Sequence, residues 1–471
     1  MKKIFTIALT IAAIIMLAAC NSNNANGIYE PTVQEELQQT QQPEEPTQET
    51  YEPPEDTYTP GDNDSPHEDP QYTAQEDILA PLADAYNREE LIAMQGLFDN
   101  TLTGHLPLRR NRAHIGHNYV KIICDNGILW GMGQNSVVAF GHGVDEFTAE
   151  EPIEILQNIA FIYGRYAITN GGALWSLGLP SFAGMLFNVF DVDVTHETRG
   201  YPFRLMDNVV QVSTGSRPGR AFGGHTLALT SDGDVWAWGV NRRGRISYPP
   251  APHATYITYP TLIMQNVVYI HAGNEASYAI TASGDVYMWG EVTLEAGTNR
   301  TQTVIATHPT RLEGIGNLVS IYEANRAITG IAADGSAITV EYRNIVNQSE
   351  GVITIDPVVW SWDEVSAVHH TVVSLNNLRA RLILQSHGRL QGQGANNGGL
   401  INPETGGRGS RYDQFMVIME DIAYFAASQS VIIAIDFNGQ IWGWGNNAYG
   451  QLGQGFTSER EGFIQIHLRG N

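Results

Sequence analysis

Positively charged residues are scarce in this chain of 471 residues, which has 26 Lys and Arg against 50 Asp and Glu and a formal net charge of −24. No Lys or Arg lies between residues 21 and 87, where 16 acidic residues occur. The acidic charge is therefore concentrated in one segment. Because phosphate backbones repel such a chain, we expect no nucleic-acid binding.

Long apolar runs are also missing, apart from one at the N-terminus. Lys2 and Lys3 precede 16 uncharged, mostly apolar residues, Ile4 to Ala19, a run shorter than the roughly 20 residues of a membrane span. It favours an export signal. The following Leu17-Ala18-Ala19-Cys20 resembles the bacterial lipobox, which implies cleavage after residue 19 and lipid attachment at Cys20. An ordinary cleaved signal with a chance cysteine is the alternative.

Cysteine is equally rare, since Cys20 and Cys124 are the only two. With Cys20 acylated no intrachain disulfide can form, so we expect Cys124, in the run VKIICD, to be a small buried hydrophobe. The lipid anchor would place the protein on a bacterial cell membrane or cell surface, outside the cytoplasm.

Residues 20–72 are rich in Gln, Glu, Pro, Thr and Asn. Such a composition buries too little apolar surface to offset chain entropy, which predicts a disordered acidic tether. Within residues 73–104, helix-start patterns at Thr73 and Asn87 precede apolar stretches, which predicts short helices.

Glycine is abundant, with 48 residues, and from about residue 105 it marks a repeat. Seven segments, such as LALTSDGDVWAWG, place a glycine turn between two apolar strands. The turn glycines are Gly127, Gly172, Gly233, Gly284, Gly335, Gly388 and Gly439, with spacings of 45, 61, 51, 51, 53 and 51 residues. Four of the seven follow Asn or Asp, which predicts hairpins with type I′ turns.

The third and fifth positions after each turn glycine hold seven of the nine tryptophans. Residues two apart share one face of a strand, so these tryptophans are expected to pack against a neighbouring sheet. Each copy has a further apolar segment before and after the hairpin, giving four strands per unit. Stacked around an axis, seven such units in residues 105–471 predict an all-β, seven-bladed propeller.

The repeat resembles that of the regulator of chromosome condensation family. The segments TLALTSDGDVWAWGVNRRGRI and VIIAIDFNGQIWGWGNNAYGQLGQG match it best, with Asn241, Gly244 and Ile246 corresponding to Asn447, Gly450 and Leu452. The fifth unit lacks the aromatic residue and the sixth has glutamines at both packing positions, so these two blades are expected to be irregular. Propellers of the WD and kelch types share the architecture, but their motifs are absent.

Motifs for catalysis are missing as well. The chain has no HExxH, GxSxG or EF-hand sequence and no phosphate-binding glycine loop. We therefore expect no enzymatic activity, no metal and no cofactor, and interpret the glycines as structural.

Function is expected in the long connections between blade strands, at 179–201, 240–259, 291–308, 395–413 and 446–462. Residues 240–259 combine Arg242, Arg243, Arg245, Tyr248, Tyr256 and Tyr259. This mixture is typical of protein-binding hot spots. The alternative is a solvated loop whose tyrosines lean on the propeller rim.

These patterns predict an extracytoplasmic scaffold that binds an unknown protein partner. Members of the resembled family act as exchange factors for small GTPases, as ligase-associated modules, or as secreted propellers that cap enzymes such as β-lactamases. The resemblance implies a role of one of these kinds. We expect the nuclear roles not to transfer to an exported chain. A carbohydrate-binding adhesin and an envelope enzyme are the alternatives.

Overall fold

A computed structural model shows an all-β architecture, which confirms the predicted fold class. The residues that it describes are 106, 111–135, 139–142, 147–177, 201–215, 224–246, 256–295, 301–324, 327–332, 337–341, 345–349, 352–355, 358–360, 373–375, 380–385, 387–396, 399–404, 410–428 and 430–468. The predicted signal peptide, tether and short helices lie outside these residues, as does Cys20. Within the described ranges, no helix is both long and apolar enough to cross a membrane.

The strands of the described residues form seven sheets, numbered here in chain order. The first three sheets contain β1 (Ala113–Ile115), β2 (Tyr119–Ile123), β3 (Leu129–Gln134) and β4 (Thr148–Leu156); β5 (Ile159–Tyr163), β6 (Tyr166–Thr169), β7 (Leu174–Ser176) and β8 (Phe203–Met206); and β9 (Val209–Gly215), β10 (His225–Thr230), β11 (Val235–Val240) and β12 (Tyr256–Met264). A 3₁₀ turn, Arg242–Gly244, follows β11.

The remaining sheets follow the same plan, with one insertion. The fourth and fifth contain β13 (Val267–Ala272), β14 (Ala276–Thr281), β15 (Asp285–Glu295) and β16 (Thr301–Gly316); and β17 (Leu318–Ala324), β18 (Ala327–Ala332), β19 (Ala337–Glu341) and β22 (Val358–Trp360). The last two contain β23 (Val373–Leu375), β24 (Ala380–Leu384), β25 (Leu390–Ala395) and β26 (Arg411–Met419); and β27 (Ile422–Ala427), β28 (Val431–Asp436), β29 (Ile441–Asn447) and β30 (Ser458–Ile466).

The first strands of neighbouring sheets contact one another in six of the seven sheets. Strand β1 contacts both β5 and β27, while β9 contacts β5 and β13. Successive sheets therefore meet along their first strands around a common axis, as in a propeller. The first and last sheets also share one apolar cluster, in which Val120 and Met132 pack with Val431, Ile433 and Leu452.

The glycine hairpins differ from their predicted turn type. A type I′ turn needs positive φ at two consecutive residues, yet at Asn126-Gly127 only Gly127 has it, with φ of 79°. The amide of Gly127 donates to the carbonyl of Cys124 at 3.0 Å, and the Cys124 amide donates to Ile128. This is the pattern of a type I turn followed by a glycine in the left-handed region. Only that one residue needs a positive φ. The type I′ prediction is wrong.

Of the two aromatic positions, the fifth residue after the turn glycine is the more deeply buried. Trp238, Trp289 and Trp444 are completely enclosed, whereas Trp236 and Trp442 are half-buried. Trp238 packs on the preceding sheet, with its ring 5.9 Å from that of Tyr166.

Cys124 is buried in the first sheet, as expected from its apolar neighbours. Burial raises the pKa of its thiol to about 11. The thiol is therefore protonated at neutral pH, which fits the predicted role of a small hydrophobe.

The two repeats expected to be irregular behave differently. In the fifth, strands β20 (Ile345–Ser349) and β21 (Val352–Ile355) form an inserted hairpin, and β21 joins the fourth sheet by parallel pairing with β16. The sixth has the regular order β23-β24-β25-β26. Gln391 and Gln393 belong to its third strand. The expectation is therefore met in the fifth sheet, and in the sixth the strand order shows no irregularity.

Candidate functional site

The third-to-fourth-strand connections leave the sheets at the end opposite the glycine turns, and we call this end the connection face. Its connections are residues 135–147, 177–202, 241–255, 296–300, 342–357, 396–410 and 448–457. The first-to-second-strand turns lie at the same end because adjacent strands are antiparallel. The connection predicted at 291–308 is much shorter, since β15 and β16 stay paired out to Glu295 and Thr301.

A buried asparagine organises the start of the connection at 241–255. The Asn241 Oδ1 accepts a hydrogen bond from the Ile246 amide at 3.0 Å, and Gly244 takes a φ of 78°. Asn447 and Leu452 form the same contact at 2.9 Å, which confirms the correspondence expected from the sequence. Because the side chain replaces missing backbone bonds, each of these segments is a fixed turn.

The sixth repeat contains this turn as well. Its Asn396 Oδ1 accepts from the Ile401 amide at 2.9 Å, and Gly399 has a φ of 68°. Asn396, Gly399 and Ile401 have the same spacing as Asn241, Gly244 and Ile246, so the sequence carried the signal for this turn. A buried asparagine therefore marks the connection in the sixth sheet, whose repeat has no tryptophan at the two packing positions.

Two of the three arginines at the predicted binding loop pair with glutamates of the next sheet. Arg243 forms an ion pair with the nearly enclosed Glu291, and Arg245 forms one with Glu275. The Arg245 side chain is only 9% exposed, whereas that of Arg243 is 55% exposed. Arg245 therefore ties the third sheet to the fourth and offers little surface to a partner.

The other predicted binding residues are less fully described. Arg242 is exposed and forms no ion pair with a described residue. Tyr248 lies outside the described residues. The backbones of Tyr256 and Tyr259 belong to β12, while their side chains lie outside the described part of the chain. Of the six predicted residues, the structure thus brings only the three arginines into one turn.

A polar chain that the sequence did not point to lies behind Arg245. The Ser277 Oγ donates to the Arg245 carbonyl at 2.8 Å and lies 2.7 Å from the His225 Nε2. Because the Ser277 hydroxyl already donates its proton to the Arg245 carbonyl, the proton in the hydrogen bond between Ser277 and His225 must be on the His225 Nε2. Burial, with Arg245 and His271 nearby, lowers the pKa of His225 to about 3. This histidine is therefore neutral and structural.

The same end of the neighbouring sheets holds a second buried histidine. The Glu323 amide donates to the His271 Nε2 at 3.0 Å, and burial lowers the pKa of His271 to about 4. Gly273 lies where an added Cβ would clash with the Glu323 carboxylate. A larger residue here would have to displace the Glu323 side chain. These partners are far apart in the chain, and only the packing of one sheet on the next reveals them.

This arrangement does not resemble a nucleophilic site. A catalytic serine donates its proton to a base, but the Ser277 proton goes to a backbone carbonyl. Among the described residues, no three His, Cys, Asp or Glu side chains are grouped closely enough to hold a metal ion.

Comparison with known families finds one repeat. The family model described as "Regulator of chromosome condensation (RCC1) repeat" matches residues 223–245, which cover the second and third strands of the third sheet and the arginine turn. Protein pim1 of Schizosaccharomyces pombe is 29% identical over 143 residues, which are 27% of this chain and 25% of pim1. The human Regulator of chromosome condensation is 27% identical over 172 residues, 35% of this chain and 39% of the human protein. The chain thus spans less than half the length of either relative.

Among solved structures, that of Prp20p from Saccharomyces cerevisiae is similar over most of the propeller. It has a TM-score of 0.54 at 15% sequence identity and covers 78% of this chain and 88% of Prp20p. At that identity the likeness concerns the fold alone. The matching repeat and the two relatives make this chain similar to the regulator of chromosome condensation family, and the Prp20p structure shares its β-propeller fold.

Proposed function

We propose that this protein is a non-catalytic, protein-binding scaffold, held at the outer side of a bacterial membrane through Cys20, that binds its partner with the connection face. The observation that carries the proposal is the construction of this face. Its turns are fixed by buried asparagines, and it displays Arg242 to solvent. Preformed turns lose little entropy on binding, which favours contact with a folded partner.

The similar proteins support only the inference that the partner is another protein, and do not identify it. The yeast propeller Prp20p has binding properties to Gsp1p and histones. Those partners belong to Prp20p, and the acidic charge of −24 here opposes binding to nucleic acid. What we carry over is the use of a propeller face to bind another protein.

The contacts of the arginines determine how the proposal is tested. Replacing Arg242, Arg243 and Arg245 together would break two ion pairs between sheets, so loss of binding would be hard to separate from loss of structure. Arg242 alone is the informative site, because it is exposed. Arg389, which pairs with Glu420 on an exposed part of the sixth sheet, is the matched control.

The experiment compares the full chain with the Arg242→Glu and Arg389→Glu variants as bait for crosslinked envelope proteins, identified by mass spectrometry. We expect the same partner with the wild-type chain and with Arg389→Glu, and much less of it with Arg242→Glu. A partner recovered equally with all three baits would place the interface elsewhere. Recovery of membrane lipids alone would contradict a protein-binding role.

A further inference from the structure

The edge of the sixth sheet that lies farthest from its first strand has an unusual sequence. It is formed by β26, the last strand in the order β23-β24-β25-β26, and no described strand pairs with its far side. Residues 415–419 of this strand read FMVIM, without a charged residue or a proline. Met416 is 41% exposed and Val417 is 48% exposed. We call residues 415–419 the open edge.

Proline occupies the position equivalent to residue 415 in the first four sheets. Val417 lies opposite Gln391, the third residue after its turn glycine. The fourth-strand residues opposite the same position in the first four sheets are Glu154, Arg204, Leu262 and Arg311. Two residues before each of these stands a proline, namely Pro152, Pro202, Pro260 and Pro309. Because proline has no backbone N–H to donate, it interrupts strand pairing along an edge. The sixth sheet lacks this interruption.

The fourth sheet shows what an edge of this kind accepts. Its strand β16 is joined by β21 through parallel pairing of residues 311–313 with residues 352–354. The pairing begins at Arg311, the counterpart of Val417. Ile353 of the added strand is completely buried in the apolar cluster of the fourth and fifth sheets. In this propeller, an added apolar strand is therefore stable at the position equivalent to the open edge.

The open edge also leaves an apolar side chain less covered than it is in most other sheets. Ile418 is half-buried, whereas its counterparts in the first, second, fourth and seventh sheets are buried, namely Ile155, Leu205, Leu312 and Ile466. The third sheet has a half-buried Ile263 at this position, but Pro260 precedes it. The seventh sheet has no proline, but the polar Gln465 replaces Val417. Among the described fourth strands, β26 thus has the longest apolar stretch without proline.

We propose that the open edge binds an extended apolar segment of a partner protein, which adds to β26 as a fifth strand. In this mode of recognition, main-chain hydrogen bonds supply affinity and alternate side chains supply specificity. Strand β21, with the sequence VITI, indicates the chemistry of that segment, which is apolar and rich in β-branched residues. Binding at the open edge is independent of the Arg242 turn and goes beyond the proposed function.

The length of the open edge favours a separate partner. An intrachain strand such as β21 is held near its edge by the chain, so a ladder of residues 311–313 is enough. A separate segment lacks that advantage and needs a longer ladder, which the proline-free residues 415–419 provide. A second copy of this chain is a less suitable occupant, because two copies related by a two-fold axis would pair antiparallel, whereas the strand added to β16 is parallel.

The test uses the full chain and a blocked, fluorescently labelled peptide, KGVITID, in which a lysine precedes the sequence of residues 351–356 and makes the peptide neutral. Fluorescence anisotropy measures binding. We expect Phe415→Pro to weaken binding about fivefold or more, because proline removes a backbone donor from the open edge. The fold accepts proline at the equivalent position in the first four sheets. Equal affinity of Phe415→Pro and the wild-type chain, or no binding by the wild-type chain, would overturn the proposal.

A second variant covers the case in which Phe415→Pro does not fold. Val417→Lys places a charge on the edge strand, which opposes addition of another strand, and we expect binding about tenfold weaker. Leu262→Lys is the matched control, because Leu262 is the counterpart of Val417 in the third sheet and is 42% exposed. It should bind the peptide as tightly as the wild-type chain. An equal loss in both lysine variants would contradict the assignment to the sixth sheet.

Hydrogen exchange then locates the bound peptide. We expect the amides of the open edge to exchange more slowly when the peptide is bound, and those of β12 to be unchanged. A peptide N-methylated throughout VITI has the same side chains but no backbone donors in that stretch, so it should give no protection. Equal protection by both peptides would contradict strand addition. Dimers of the wild-type chain that Val417→Lys dissociates, measured by sedimentation without peptide, would show a second copy at the open edge and overturn the proposal of a partner segment.

Discussion

The carbonyl oxygen of Gly233, in the hairpin turn of the third sheet, accepts a 3.0 Å hydrogen bond from the amide of Val267, which begins the fourth sheet. Gly127 and Ile159 form the same bond between the first two sheets at 2.8 Å, and Gly388 and Ile422 form it between the last two at 2.8 Å. The turn glycine thus joins successive blades as well as reversing the chain. Its positive φ leaves its carbonyl directed at the next sheet.

Trp238→Ala should reduce the free energy of unfolding by about 3 to 5 kcal/mol, because it empties a fully enclosed position. It also removes the hydrogen bond from the indole Nε1 to the Tyr166 hydroxyl, at 3.2 Å. Urea denaturation measures the loss. Trp236→Ala is the matched control and should cost less, since Trp236 is half-buried. Equal losses would show that the two positions are not distinguished by burial.

Gly290→Ala should be strongly destabilising. Gly290 has a φ of 107°, and an added Cβ would lie 2.5 Å from the Glu275 carbonyl oxygen. Backbone strain of this kind costs about 1 to 3 kcal/mol before the clash is counted. Gly462→Ala is the control, because nothing lies within 4 Å of its Cβ position. Thermal unfolding of the two variants should differ clearly, and a similar midpoint for both would contradict the assigned strain.

Arg245→Ala should destabilise the junction of the third and fourth sheets. It removes the charge that faces Glu275, and both side chains are largely buried, at 9% and 15% exposure. Removing one partner of a buried ion pair costs about 3 kcal/mol. Arg411→Ala, whose pair with Asp413 is exposed, should cost less than about 1 kcal/mol. A double-mutant cycle with Glu275→Gln should recover part of the Arg245 loss, and additive losses would contradict direct coupling.

Acid should destabilise the fold through the buried histidines. The pKa of His225 falls to about 3 and that of His271 to about 4 in the folded chain, below the unfolded value of 6.5. Between these values the unfolded state binds more protons, so stability falls as the pH is lowered below 6.5. Each histidine contributes up to about 1.4 kcal/mol per pH unit.

The pH dependence is checked by urea unfolding between pH 7 and pH 4. We expect His225→Asn to flatten the decline of unfolding free energy, whereas the exposed His467→Asn serves as the control. If both variants show the wild-type slope, the acid sensitivity does not come from His225.

Cys20→Ala should release the protein from membranes, because the acyl chains predicted at Cys20 would be lost. Labelling of cells with a fatty-acid analogue, followed by fractionation, measures this. Cys124→Ala is the control, since Cys124 is buried in the first sheet. Unchanged membrane retention of Cys20→Ala would contradict lipid attachment.

Much of the fold could be predicted from local patterns. The spacing of the turn glycines and the alternation around Trp236 and Trp238 depend only on neighbouring residues, so they identify hairpins before any tertiary contact is known. The difference in burial between these two tryptophans could not be predicted, because both lie on one strand face. Trp238 packs against Tyr166 of the preceding sheet and is enclosed, whereas Trp236 is half-buried.

The candidate site was harder to predict. The motif around Asn241 located the turn, but Arg243 and Arg245 looked the same as Arg242 in the sequence. Their partners, Glu291 and Glu275, lie 48 and 30 residues away. No spacing rule links residues so far apart in the chain, and packing of one blade on the next brings them together.

Local backbone preferences and two-residue periodicity were enough to specify the all-β repeat, its family resemblance and the six glycine turns that the structure describes, while the predicted turn at Gly335 lies outside the described residues. The turn type, the inserted hairpin that joins the fourth sheet, and the choice of which charges face each other emerged from the three-dimensional packing. That packing also placed the Lys121 ammonium against the Gly164 carbonyl of the second sheet. The interaction energies of charges and buried polar groups depend on distance in space rather than along the chain. Their partners are therefore determined by the packing of the blades.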